Sequence, residues 1–239
     1  LDAEDCLRHI NGRLYGNDYE ERLFNVAMEL CITWMNRILF LKLLEAQMLK
    51  YHNGDAIYKF LSITKIHDYD DLNTLFFQVL ARDMGSRTHS IMRDFAYVPY
   101  LNSSLFEVTD LESKTIKINS LSQRTVLPVL ASSVLRNKKR NLQVNALPTL
   151  QYLFAFLDAY NFASEGSEEV QEEAKTLINA SVLGLIFEKI NGHKDGSVFT
   201  PGFITMFMCR EAITKTVLQK FNGYYGWNCT TRIELYNHI

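Results

Sequence analysis

An acid at Asp94 stands upstream of an E-x-K formed by Glu112 and Lys114. Two acids that hold Mg²⁺ beside a lysine that orients water are the outline of a metal-dependent nuclease site. The same residues also read as the charged tip of a hairpin, and in a chain with 22% charged residues such a pattern arises easily by chance. No strong strand carries Asp94, so the hairpin tip is the preferred reading. The six histidines have no paired Cys, Ser or acid at a diagnostic spacing, so no nucleophile is assigned. Cys6, Cys31, Cys209 and Cys229 are far apart and form no CxxC pair. Neither a zinc site nor a disulfide framework follows, and reducing cytoplasm is the expected compartment. No catalytic and no metal-ligating residue is therefore expected.

One basic run has a chemistry of its own. Arg136, Lys138, Lys139 and Arg140 crowd the loop "RNKKRN" and would neutralise several phosphates, each released counterion adding affinity that is blind to sequence. A short basic run is also a common form of solvated loop. The net charge of −2 gives the whole chain no pull toward a polyanion, so a DNA contact has to be local. "NSS", "NAS" and "NCT" match the N-glycosylation pattern, but a cytoplasmic chain does not meet that machinery.

The elements that must position these residues read mostly as helix. From about Asp18 to Lys50 the positions Leu23, Val26, Leu30, Trp34, Ile38, Leu41, Leu44 and Met48 recur in steps of three and four, one stripe down a helix. At 1.5 Å per residue it would be roughly 50 Å long, the spine of the domain. "HNGD" should stop it, a shorter helix should follow to Leu61, and Asp70 or Asp71 should cap another through Leu72, Phe76 and Leu80. "VPYLNSSLF" reads as an ordered turn, and "FEVTDLESKTIKIN" as a two-stranded hairpin. Helices are expected again over Ser122 to Leu135 and Thr149 to Leu157. The acidic "SEGSEEVQEE" leads into a further helix, its carboxylates matching the positive end of the dipole. Every rich apolar run is interrupted by Arg, Lys or Glu within about 20 residues, so no spanning helix is expected.

The stretch "NGHKDGSVFTPGFITMFM" interrupts the pattern. A helix running to Ile190 should end at Asn-Gly, with Gly192 in the left-handed conformation that satisfies its last carbonyls. Gly196 allows a second bend, Thr200 suits the cap of the next helix and Pro201 its first position.

Those residues also carry a resemblance. "LINASVLGLIFEKINGHKDGSVFTPGFITMFMCREAI" resembles the junction in bacterial adenine-N6 DNA methyltransferases of restriction-modification and phage-defence systems. There a Leu-Gly-x-Ile-Tyr-Glu helix leads through a charged turn to an aromatic-Thr-Pro that opens the methyltransferase domain. The matching residues are Leu183, Gly184, Ile186, Phe187 and Glu188, then Phe199, Thr200 and Pro201, with Phe187 in place of the commoner Tyr. Upstream, "ELCITWMNRILFLKLLEAQML" and "VPYLNSSLFE" are similar to the helical region of the fused, single-chain members, with Ser103 and Ser104 where Gly-Gly is usual.

The resemblance implies a helical domain over residues 1–163, a connector helix and turn over 164–198, and from 199 to 239 the start of an incomplete Rossmann-like methyltransferase domain. It implies S-adenosylmethionine as cofactor, its carboxylate nearest Phe199, Thr200 and Pro201, double-stranded DNA as partner, and adenine flipped from the duplex. A restriction nuclease domain in the same chain is a further partner it allows. Neither the Gly-rich Asp-Pro-x-x-Gly-x-Gly loop nor the Asn-Pro-Pro-aromatic motif of such enzymes occurs between Thr200 and Ile239. The chain is therefore expected to be a mainly α fragment of a longer enzyme, inactive alone and without a tight cofactor site. The competing expectation is an all-helical protein–protein interaction module.

Overall fold

A computed structural model describes residues 1, 5–135, 145–162, 177–178, 180–191, 200 and 202–239. The fold is mainly helical. The stripe read from the sequence is the 33-residue helix α1, Tyr19–Tyr51, begun by Asp18, whose carboxylate accepts from the Glu21 N–H. It ends where Asn53 and Gly54 take positive φ. Gly54 there has no Cβ to strain, so the chain reverses at little cost. After a single 3-10 turn at Ala56–Tyr58, where the helix to Leu61 was expected, comes α2, Tyr69–Thr74, which widens into a π-helical stretch at Leu75–Leu80. Its cap is Asp68, not Asp70 or Asp71, because only Asp68 is extended and accepts from the Asp71 N–H.

Helix α3 is His89–Phe95 and α4 is Asp110–Lys114. The expected hairpin over "FEVTDLESKTIKIN" is not formed. Thr109 and Glu112 make a reciprocal capping box, the Thr109 hydroxyl accepting from the Glu112 N–H while the Glu112 carboxylate accepts from the Thr109 N–H. That pairing nucleates a helical turn where alternation had suggested strands. The helix expected over Ser122 to Leu135 is also absent. Pro128 lacks the N–H a helix interior needs, and Val126–Pro128 instead forms strand β1, paired antiparallel with β2, Ala146–Pro148.

Helix α5, Thr149–Asp158, falls where it was expected. A minimal parallel pair joins β3, Asn161–Phe162, to β4, Leu177–Ile178. Then come α6, Ala180–Asn191, α7, Gly202–Tyr225, and α8, Arg232–His238. Contacts divide the chain into two units, Leu1–Phe187 and Glu188–Ile239. In the first, Phe76 lies 6.1 Å from Phe106, which in turn lies 6.0 Å from Phe40 of α1, so α1 and the short segments around it share one core. Among the described residues no helix is long and apolar enough to cross a membrane.

Candidate functional site

The nuclease outline does not assemble. Asp94 is exposed and paired with its neighbour Arg93 at 2.8 Å, and Lys114 is paired at 2.8 Å with Asp110 one turn earlier. Glu112 is fully buried on the opposite side of α4, facing α1. One short helix thus sends Glu112 inward and Lys114 outward. Among the described residues no group of three or more His, Cys, Asp or Glu could hold a metal ion.

What the sequence did not reveal is that α1 buries charge. Arg37 donates to Glu112 at 2.5 and 2.9 Å and to the carbonyls of Leu105 and Glu107 at 2.7 Å each. The Trp34 indole N–H donates to the same carboxylate at 2.9 Å. Burial alone would raise the Glu112 pKa, but the Arg37 bonds, the Thr109 backbone N–H and Trp34 outweigh it and hold it below its ordinary value. Five residues further along α1, Lys42 donates to Glu45 and to Asp158 at 2.6 Å each, and Asp158 also accepts from Lys59. Glu45 in addition accepts from the Leu61 N–H at 2.6 Å. Burial would push the Lys42 ammonium down, yet Glu45 and Asp158 together leave its pKa raised. A lysine held charged is a structural cation, not a nucleophilic amine. Both networks fasten loops to the spine.

Of the residues assigned to binding, Thr200 alone is described, and it is exposed two positions before α7 begins at Gly202. Phe199 and Pro201, the turn at Gly192 and Gly196, and the basic loop Arg136, Lys138, Lys139 and Arg140 lie outside the described residues. Leu183 of the Leu-Gly helix is buried, whereas Gly184 faces open space.

The second unit holds a feature missed in the sequence. After α7 the chain turns at Gly226, with φ +70°, and the Asn222 side chain clamps the return by bonding both the N–H and the carbonyl of Cys229, at 3.0 and 2.8 Å. Beside this clamp Trp227 stacks on Tyr225 and on His238, with centroids 4.6 and 4.8 Å away and ring planes within 16° and 21°. Phe221 extends the stack at 6.3 Å from Trp227. Beside it, between α7 and α8, lies a recess of about 310 Å³ whose walls are Ile213, Thr214, Val217, Leu218 and Leu235, with Arg210 and Arg232 at its edge. Leu218 and Leu235 also pack against Phe221 and Trp227, so recess and ring stack adjoin. The run "FNGYYGW" was the signal available: aromatics crowded around two glycines.

The first unit is thus a mainly helical domain on one long charged-core helix. The chain belongs to a family described as a domain of unknown function (DUF7814), whose model matches residues 1–178. No curated protein and no solved structure matches it.

Proposed function

We propose that this chain is the helical region that precedes and enters the methyltransferase domain of a cytoplasmic, site-specific adenine-N6 DNA methyltransferase of a restriction-modification system. The observation that carries the reading is the junction sequence: the Leu-Gly helix, the charged turn and the Thr-Pro helix start, in that order. Two features of the fold support it. α6 carries Leu183 and Gly184, and α7 begins two residues after Thr200. α7 also exposes Phe203, Met206 and Phe207, each at least 65% accessible, as expected for the first helix of a Rossmann-like domain whose sheet covers it. The same exposed face suits the second reading, a helical module that docks a partner protein.

In the proposed enzyme the chain's own part is positioning. The residues at the start of α7 fit an anionic cofactor group: Thr200 is exposed, and a Cβ on Gly202 would meet nothing within 4 Å. Free amides of a first helical turn, aided by the dipole, hold a carboxylate. S-adenosylmethionine would supply the methyl group. Phe199, Thr200 and Pro201 would hold its carboxylate end, and Arg136, Lys138, Lys139 and Arg140 would hold DNA phosphates. The 239-residue chain lacks the loop and the Asn-Pro-Pro motif that such enzymes use on the adenine, so methyl transfer needs residues encoded beyond it.

The test is calorimetric titration of S-adenosylmethionine into the protein made from the whole coding sequence, wild type against Thr200→Ala. Loss of a helix cap costs only about 1 kcal/mol of stability, too little to unfold a large domain, so the variant should stay folded while its cofactor affinity falls. Equal affinities in two folded proteins would reduce Thr200 to a helix start.

A further inference from the structure

We propose that the second unit binds an unpaired nucleic-acid strand, its bases on the aromatic stack of Tyr225, Trp227 and His238 and its phosphates at Arg210 and Arg232. The stack is built in advance. Its rings lie nearly parallel, Trp227 half-buried against Leu218, Cys229 and Leu235, with the return of the chain fixed by the Asn222 clamp and the Gly226 turn. Tyr225 is 55% accessible and the neighbouring Tyr224 82%. Rings fixed in this way lose little freedom when a base lies against them, and every base offers a π-face, so such platforms take single strands without regard to sequence.

Charge points to the same ligand. From residue 200 to 239 the cations Arg210, Lys215, Lys220 and Arg232 face only two carboxylates, Glu211 and Glu234. Glu234 is already engaged, accepting from the Thr230 N–H at 2.7 Å and from its hydroxyl at 3.0 Å. Among the described residues neither Arg210 nor Arg232 is in an ion pair. Both border the recess that shares Leu218 and Leu235 with the ring stack. The arginines at the recess and the rings beyond it offer contacts to the phosphates and to the bases of a strand several nucleotides long. A duplex is the poorer match, because its bases are stacked on both faces and present only edges. An acidic peptide would satisfy the arginines but leave the ring stack idle.

This site is independent of methyl transfer, and its test separates the two. Fluorescence anisotropy of labelled oligothymidylate of about 12 nucleotides would be followed as the 239-residue chain is added, with a duplex of equal length and an acidic peptide as competitors. Binding should favour the single strand and weaken as salt rises. Tyr225→Ala should weaken it about tenfold, Tyr225→Phe should leave it intact, and Arg210→Ala with Arg232→Ala should flatten its salt dependence. Circular dichroism would check that each variant keeps its helices. Failure to bind the single strand, a preference for duplex or peptide, or equal affinity in Tyr225→Ala would each overturn the proposal, while leaving the methyltransferase reading to its own cofactor test.

Discussion

At the scale of single residues, the firmest consequence concerns Arg37 and Glu112, both fully buried and bonded to each other. Removing one partner strands the other's charge in the core, so Glu112→Ala should cost about 3–5 kcal/mol, read from urea unfolding. A cost below about 1 kcal/mol, the worth of an exposed pair, would place the pair in solvent. The same networks set a pH dependence. Burial opposes the charged forms of Glu112 and Asp158, but their cationic partners win and lower both pKa values. Their contribution is therefore present above the unfolded carboxylate range and lost as pH falls below about 4. Burial likewise opposes the Lys42 charge, but Glu45 and Asp158 raise its pKa. Its contribution is present below the unfolded lysine value of about 10.4 and lost as pH rises past it. Unfolding free energy should accordingly show a plateau between these limits with a fall on both sides. A single optimum near neutrality with steep flanks would contradict it.

At the scale of elements, caps decide what periodicity leaves open. Asp68→Ala should cost about 1 kcal/mol, whereas Asp70→Ala should cost less, because Asp70 receives only the exposed bond from Asn119 at 3.1 Å. Equal losses in thermal melts of the two variants would refute the placement of the cap. Helix α1 was legible because eight apolar residues, Leu23 to Met48, recur in steps of three and four through about seven turns of chain, and α5 because Leu150, Phe154 and Leu157 mark one buried face. Residues 106–119 were misread because Val108, Ile116 and Ile118 mimic alternation, while the Thr109–Glu112 box that selects a turn of helix spans only four residues. Over Ser122 to Leu135, Pro128 was the overlooked mark against a helix. The buried charges of α1 could not be read at all: Arg37 and Glu112 are 75 positions apart, and nothing local distinguishes them from solvated residues.

At the scale of the whole molecule, the described residues form two units with different surfaces. The first closes over its core and matches a family model across residues 1–178. The second leaves large apolar side chains of α7 exposed, which a stable soluble helix of this length tolerates only when something covers them. The proposal assigns that cover to a methyltransferase sheet and the chemistry to motifs beyond residue 239. The measurement that bears on it most directly is transfer of a labelled methyl group from S-adenosylmethionine to duplex DNA, run with the protein from the whole coding sequence and with the 239-residue chain side by side. The account predicts N6-methyladenine from the former and no transfer from the latter; transfer by neither, or methylation confined to cytosine, would contradict it.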